Sequence, residues 1–255
     1  MTLSDTHLVL IPSFNPGGRV RETVRDARAQ WDPVWIIVDG STDGSTAVLE
    51  EMGRTDPGLR VLVRATNGGK GAALLDGLLE ARRAGFTHAL TMDSDGQHPA
   101  ACIGPFMAAS RAAPGAMILG EPLFDASAPL ERVRGRRIAN WATNLETLWA
   151  GIRDTLFGFR VYPIAHLIAV MEKSRWMRGF DFDAEAVVRL SWRGVPAVNL
   201  PAPVRYFSAA AGGVSHFDYW RDNVLLTSMY LRLLLGFALR LPLLIARRLR
   251  ARPLV

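Results

Sequence analysis

Two aspartates one residue apart, Asp93 and Asp95 in HALTMDSDGQHPA (88–100), directly follow an apolar run that reads as the end of a buried strand. Like charges this close repel. The repulsion is removed when a divalent cation lies between the carboxylates and an anion such as a diphosphate. Gln97 offers a neutral oxygen to the same ion. The tetrapeptide DSDG also reads as a plain solvent-exposed turn, because Asp, Ser and Gly favour turns. What raises the chemical reading is its place after a strand, together with a second acidic loop, VDGSTDGS (38–45). In that loop Asp39 can accept hydrogen bonds from a base or ribose, although the same residues also suit a turn with an N-cap. A third loop, NGGKGAA (67–73), can hold a phosphate through backbone N–H groups and Lys70. It lacks the upstream glycine and the Ser or Thr after the lysine that a Walker A loop needs. No G-x-G-x-x-G opens the first helix either, so P-loop and dinucleotide-binding chemistries lose their support.

These loops need a scaffold that gathers them. HLVLIPS, VWIIVDG, LRVLVRA, HALTMDS and AMILGEP read as strands, and helical patterns begin near Gly18, Thr42, Gly69 and Pro99. Strand and helix alternating at this rhythm predict right-handed crossovers and an α/β fold, with a mostly parallel central sheet and helices on both faces. Ligands of such sheets collect beyond the carboxyl ends of the strands, where IPSFNPGG, VDGSTDGS, RATNGGKGAA and DSDGQHP all fall.

Composition sets the outer limits. The chain has 255 residues, 49 % of them hydrophobic, enough for one large domain or a domain with an appendage. A single cysteine, Cys102, excludes an internal disulfide and a cysteine-rich zinc site and fits a cytosolic setting. The net charge of +6 is carried by arginine, since Lys70 and Lys173 are the only lysines, and it is not read as a nucleic-acid signal. The opening MTLSDTHLVLIPSFNPGG lacks a basic region before its short apolar run, which argues against a signal peptide.

IPSFN, VDGSTDGS, NGGKGAA and DSDGQHP, in this order and at this spacing, resemble the nucleotide-sugar-binding half of family 2 glycosyltransferases with the GT-A fold. The branch of similar pattern is the polyprenyl-phosphate (dolichol-phosphate) mannosyl- and glucosyltransferases. DTLFGFRVYP (154–163) resembles that branch's Asp-x-x-x-Gly-Phe-Arg segment, and RGFDFDAEAVVRLSWRG (178–194) resembles its Gly-Phe-acid-Phe-acid helix.

The resemblance implies roles for particular residues. Pro12 and Asn15 line the nucleotide pocket, and Asp39 binds base or ribose as the second acid of a pair whose first is replaced by Val38. Asp93, Ser94, Asp95 and Lys70 meet the donor of a UDP- or GDP-linked sugar. Asp93, Asp95 and Gln97 hold Mg2+ or Mn2+. Arg160 lies near the phosphates or the acceptor, and Asp181, Asp183 and Glu185 lie close to the acceptor; the three acids also suit a first helical turn favoured by the helix dipole. Asp95, Arg160, Asp181 and Asp183 are the catalytic candidates. Single displacement inverts the anomeric centre, and a base is needed only for a hydroxyl acceptor. The branch's closing Arg-x-x-Gly-x-Ser-Lys is here Ala210-Ala211-Gly212-Gly213-Val214-Ser215-His216. Arg205, Ser215 and His216 are then the acceptor-phosphate candidates, and a hydroxyl-bearing lipid acceptor stays open beside polyprenyl phosphate.

The catalytic domain is drawn at 1–216 and a tail at 217–255. Arg232, Arg240 and Pro242 interrupt the apolar runs of the tail, which argues against a membrane-spanning helix. At 100° per residue Arg221, Asp222, Ser228, Arg232, Arg240, Arg247 and Arg250 share about a third of the circumference. This layout predicts an interfacial helix with its arginines at anionic headgroups, kinked near Pro242, on the cytoplasmic face of a membrane. Packing of the tail on the domain or in a homodimer is the alternative. Two further functions are weighed. A nucleotidyltransferase is disfavoured by the absence of an arginine-rich glycine loop in PSFNPGG. Against a non-catalytic membrane-tethered scaffold stand Asp93, Asp95 and Gln97.

Overall fold

The computed structural model of the chain describes residues 3–124, 130–205 and 219–250. A seven-stranded sheet forms its centre, in the order β3-β2-β1-β4-β6-β5-β7. The strands are β1 His7–Ser13, β2 Val34–Asp39, β3 Leu59–Arg64, β4 His88–Thr91, β5 Met117–Leu123, β6 Arg160–Pro163 and β7 Ala197–Pro203. All neighbouring pairs are parallel except the two that involve β6. The first five strands lie where the apolar runs place them. β6 and β7 are additions that the alternating pattern does not announce.

Alternation along β1 sorts the core into two layers. Leu8 and Leu10, with Trp35 and Ile37, face α3 Lys70–Arg83, α6 Ile164–Met171 and α7 Phe182–Trp192. Val9 and Ile11, with Val34, Ile36 and Val38, face α1 Val20–Gln30, α2 Ser45–Thr55 and α4 Ile103–Ala112. Both faces being covered explains why these strands read as nearly continuous apolar runs rather than alternating ones.

The order 3-2-1-4 reverses direction at β1, so a crevice opens between the carboxyl ends of β1 and β4. β6 runs the other way, pairing Arg160 with Thr91. Its first residue, rather than its last, therefore reaches the same rim.

After α5 Leu130–Glu146, α6 and α7, the chain ends its described part in α8 Tyr219–Arg250, one helix that passes through Pro242. No break interrupts it at the proline. Met229, Leu233, Phe237 and Leu244 pack on Ala184, Val188 and Trp192 of α7. Three arginines point the same way, which corrects the expected layout. Arg232 bonds Glu185, Arg240 lies over the Trp192 ring at 4.9 Å, and Arg247 donates to the Trp192 carbonyl. They face the protein because it offers carboxylates, carbonyls and an indole face. Leu231, Leu235, Leu239, Leu243 and Leu249 of the same helix are left exposed. Among the described residues, Asp222–Leu249 is also the one helix long and apolar enough to cross a membrane by length and composition, contrary to the expectation drawn from its interruptions.

Candidate active site at the carboxyl rim

The donor-side loops are held by one another. Asn15 Oδ1 accepts the Thr42 N–H at 2.7 Å, and the Asn15 N–H donates to Ser41 Oγ at 3.0 Å. The loop after β1 is thereby stitched to the loop after β2, while Pro12 is buried within β1 opposite Ile37. Asp39 is 2 % exposed and turns its carboxylate to the third loop. It accepts the N–H groups of Gly68 and Gly69, at 2.8 Å for Gly69, and pairs with Arg64. Those bonds occupy both of its oxygens. In this arrangement Asp39 shapes the NGGK loop.

That loop also touches the acidic segment before α7. The N–H groups of Gly71 and Ala72 donate to the Arg178 carbonyl at 2.9 and 3.2 Å. Gly69 has φ +92°, and a Cβ there would run into the same carbonyl. Glycine is required on both counts. The loop therefore delivers Lys70 to the centre of the rim, where Nζ lies 2.7 Å from Asp93 Oδ1 and 2.7 Å from Asp183 Oδ2. A Cβ on Gly158 would come within 2.7 Å of that ammonium, which places the GFR segment against the same centre.

The two aspartates of DSD differ electrostatically. Burial works against ionisation of Asp93, but the Lys70 ammonium and, after it, His98 and Arg160 together outweigh burial and hold the carboxyl at about 2. Asp95 is pushed up, first by burial and then by the charge of Asp93. Negative charge that is only partly relieved, presented by hard oxygens, fits a divalent ion such as Mg2+ or Mn2+. The Gln97 N–H donates to Asp95 Oδ1 at 2.9 Å, and the Gln97 carbonyl accepts the Arg205 N–H at 3.2 Å. Gln97 and Arg205 therefore adjoin the pair, and Ser94 accepts from Thr23 through its carbonyl. No group of three His, Cys, Asp or Glu stands ready to enclose an ion among the described residues. Other ligands would have to come from phosphate and water.

His98 is a member of the site that the motif reading passes over. The Asp93 N–H donates to its Nδ1 at 2.8 Å, so the ring proton sits on Nε2, which faces Asp93 Oδ2 at 3.6 Å. Burial foremost lowers its basicity, and the ring packs edge-on against Phe157 at 4.7 Å. Its place in DSDGQHP, five residues past Asp93, is the available signal.

On the other wall Arg160 is fully buried. Nη1 donates to the Tyr162 hydroxyl and to the Asp183 carbonyl, while Nε and Nη2 have no partner among the described residues. Asp183 Oδ1 is likewise buried without one. The three acids of the first turn of α7 thus diverge. Asp183 faces the rim. Asp181 accepts the Met177 and Gly179 N–H groups at 3.0 Å each, and Glu185 pairs with Arg189 and Arg232. Ser215 and His216 lie outside the described residues.

Residues 8–172 match the profile of Glycosyl transferase family 2. The polyprenol monophosphomannose synthase of Mycolicibacterium smegmatis is 27 % identical over 207 residues, covering 76 % of this chain and 75 % of that protein. The structure of glucosyl-3-phosphoglycerate synthase from Mycobacterium tuberculosis, in complex with Mn2+, UDP-glucose and phosphoglyceric acid, superposes with a TM-score of 0.62 at 15 % identity, over 92 % of this chain and 80 % of that one. A mannosyltransferase from Pyrobaculum calidifontis in complex with GDP-Man and Mn2+ gives 0.56 at 16 % identity, over 79 % and 59 %. Likeness at these identities establishes a shared GT-A fold.

Proposed function

We propose, from the premise that the chain belongs to glycosyl transferase family 2 and is a glycosyltransferase, that it moves a hexose from a UDP- or GDP-linked sugar to polyprenyl phosphate. The place of transfer is the cytoplasmic face of a membrane. The observation that carries the acceptor class is Arg160, a fully buried guanidinium whose Nε and Nη2 lack partners among the described residues. Leaving buried N–H groups unpaired is costly. These two share one edge of the guanidinium, the geometry that suits two oxygens of a phosphate. The similarity to a polyprenol monophosphomannose synthase supports the same class.

In this reading Asp93 and Asp95, with Gln97 adding a neutral oxygen, hold the divalent cation that offsets charge on the departing diphosphate. Lys70, already at Asp93, adds a fixed positive charge to the same region. The acceptor phosphate is ionised near neutrality, so its oxygen attacks the anomeric carbon without a base. The bond from that carbon to the diphosphate oxygen breaks, the electron pair leaves with the diphosphate, and the configuration inverts. Arg160 orients the attacking phosphate. Asp183, with Oδ2 on Lys70 and a buried Oδ1 that has no partner among the described residues, is the acid assigned to a sugar hydroxyl. Asp39, Asn15 and Pro12 shape the nucleotide pocket, and Arg205, held through its N–H by the Gln97 carbonyl, is the described acceptor-side candidate.

The exposed leucines of α8 support attachment to lipid, with Trp220 (80 % exposed), Trp141 and Trp149 as amphipathic rings for the headgroup level. A helix packed along α7 lies on the membrane rather than crossing it. α8 is docked onto the first part of the chain through α7.

Purified protein with Mn2+ and UDP- or GDP-hexoses, offered polyprenyl phosphate or the corresponding polyprenol, tests the reading by mass spectrometry. The expected product is glycosylated polyprenyl phosphate alone. Equal transfer to the free alcohol, or none to either acceptor with any donor, overturns it.

A further inference from the structure

One polar residue on the inner face of α8 makes contacts that docking alone does not call for. Arg232 Nη2 lies 3.3 Å from Glu185 Oε2 and 4.0 Å from Asp181 Oδ2, while Nη1 donates to Ser228 at 2.8 Å. The guanidinium also stacks on Trp176 at 4.1 Å. Glu185 and Asp181 are buried, and they flank Asp183, the acid that faces the rim.

We propose that Arg232 is a positioning residue of the transfer site: by neutralising Asp181 and Glu185 from the tail, it sets the first turn of α7 and the 177–179 loop where Asp183 and Lys70 need them. The chain of contacts is continuous. Asp181 bonds the N–H groups of Met177 and Gly179, and the Arg178 carbonyl between them accepts the Gly71 and Ala72 N–H groups beside Lys70. Lys70 then closes the path onto Asp93 and Asp183. Arg189 already pairs with Glu185 at 2.6 Å, so Glu185 does not depend on Arg232 for its only countercharge. Asp181 has no ion pair but the one to Arg232 among the described residues. The tail would thereby be an integral part of the site rather than an anchor joined to it. This inference rests on the proposed transfer reaction only for its kinetic readout.

The test uses the full chain and three variants, Arg232→Gln, Arg232→Lys and, as control, Arg240→Gln. Arg240 also lies on the inner face, but over Trp192 and its own Gly236 carbonyl, away from the acidic turn. Amide hydrogen exchange supplies the readout that needs no substrate. Arg232→Gln should speed exchange roughly tenfold at Gly71, Ala72, Met177 and Gly179, the size expected for coupled ion-pair neighbours. Arg232→Lys should restore much of the protection, and Arg240→Gln should leave these amides as they are. Transfer by Arg232→Gln should drop in kcat by a similar factor, with donor affinity changed less than about twofold. Faster exchange confined to 219–250, or equal effects from Arg232→Gln and Arg240→Gln, overturns the inference. If no variant or parent transfers a sugar but the exchange pattern holds, the proposed reaction fails and the positioning role stands.

Discussion

The two ends of the central sheet both bury polar side chains, and they treat them in opposite ways. At the amino end His7 and His88 stack at 4.5 Å with their planes 9° apart. Every ring nitrogen there is engaged: His7 with Thr6 and Ser110, His88 with Thr87 and the Pro114 carbonyl. At the carboxyl end, among the described residues, Arg160 keeps two unpartnered nitrogens, Asp183 keeps one unpartnered oxygen, and Asp95 is pushed up beside Asp93. Buried polar groups that are all satisfied serve the fold. Those left open beside Asp93 and Lys70 fit the proposal that an anion arrives there.

That contrast can be broken or sharpened by substitution. Asp95→Asn at the carboxyl end should lower transfer by about a hundredfold or more while the melting temperature hardly moves, because the lost charge acts on the transition state. A well-folded mutant with full activity would break the comparison. His7→Ala at the amino end should do the reverse. It removes two hydrogen bonds and a stacked ring, so denaturant titration should show a loss of about 1–3 kcal/mol with kcat unchanged. Arg160→Lys keeps the charge but loses the two-pronged edge. It should raise the acceptor KM by about tenfold with donor affinity unaffected, as steady-state kinetics would show.

A pH titration is the gentlest probe. Burial above all, then the neighbouring His88 and Arg111, lowers His7 from 6.5 to about 4. Between those values the unfolded chain binds a proton that the folded chain refuses. Stability therefore falls as pH drops from about 6.5 toward about 4. The His7→Ala variant should show a shallower slope over that window in urea melts at fixed pH.

Much of this molecule is legible in its residues. β1 to β4 are long apolar runs punctuated by Gly, Asp and Asn, and α1 to α4 follow them, so the crevice and its four loops can be placed before any coordinates. β6 escapes because four residues, RVYP, carry too little pattern, and its antiparallel direction depends on pairing with β4 and β5. Asp39 shows a different limit. Its position at the rim is legible, but the use of its lone pairs depends on where Gly68, Gly69 and Arg64 fold. The orientation of α8 is not legible from its pattern, which suits arginines turned to water or headgroups as well as to protein. Arg232, Arg240 and Arg247 instead find Glu185, Trp192 and a main-chain carbonyl, and the leucines are left outside. An amphipathic pattern identifies two faces. Only the partners decide which face turns in.

The central claim is that the carboxyl rim is built for the diphosphate of a nucleotide sugar, with Asp93 and Asp95 reaching it through a divalent ion. Calorimetric titration of UDP and GDP into the protein, with Mn2+ and with chelator, tests this most directly. One of the two nucleotides should bind tightly with Mn2+ and only weakly with chelator, and Asp93→Asn should lose most of the metal-dependent part. Equal affinity with and without the ion, or an unchanged titration for Asp93→Asn, would contradict it.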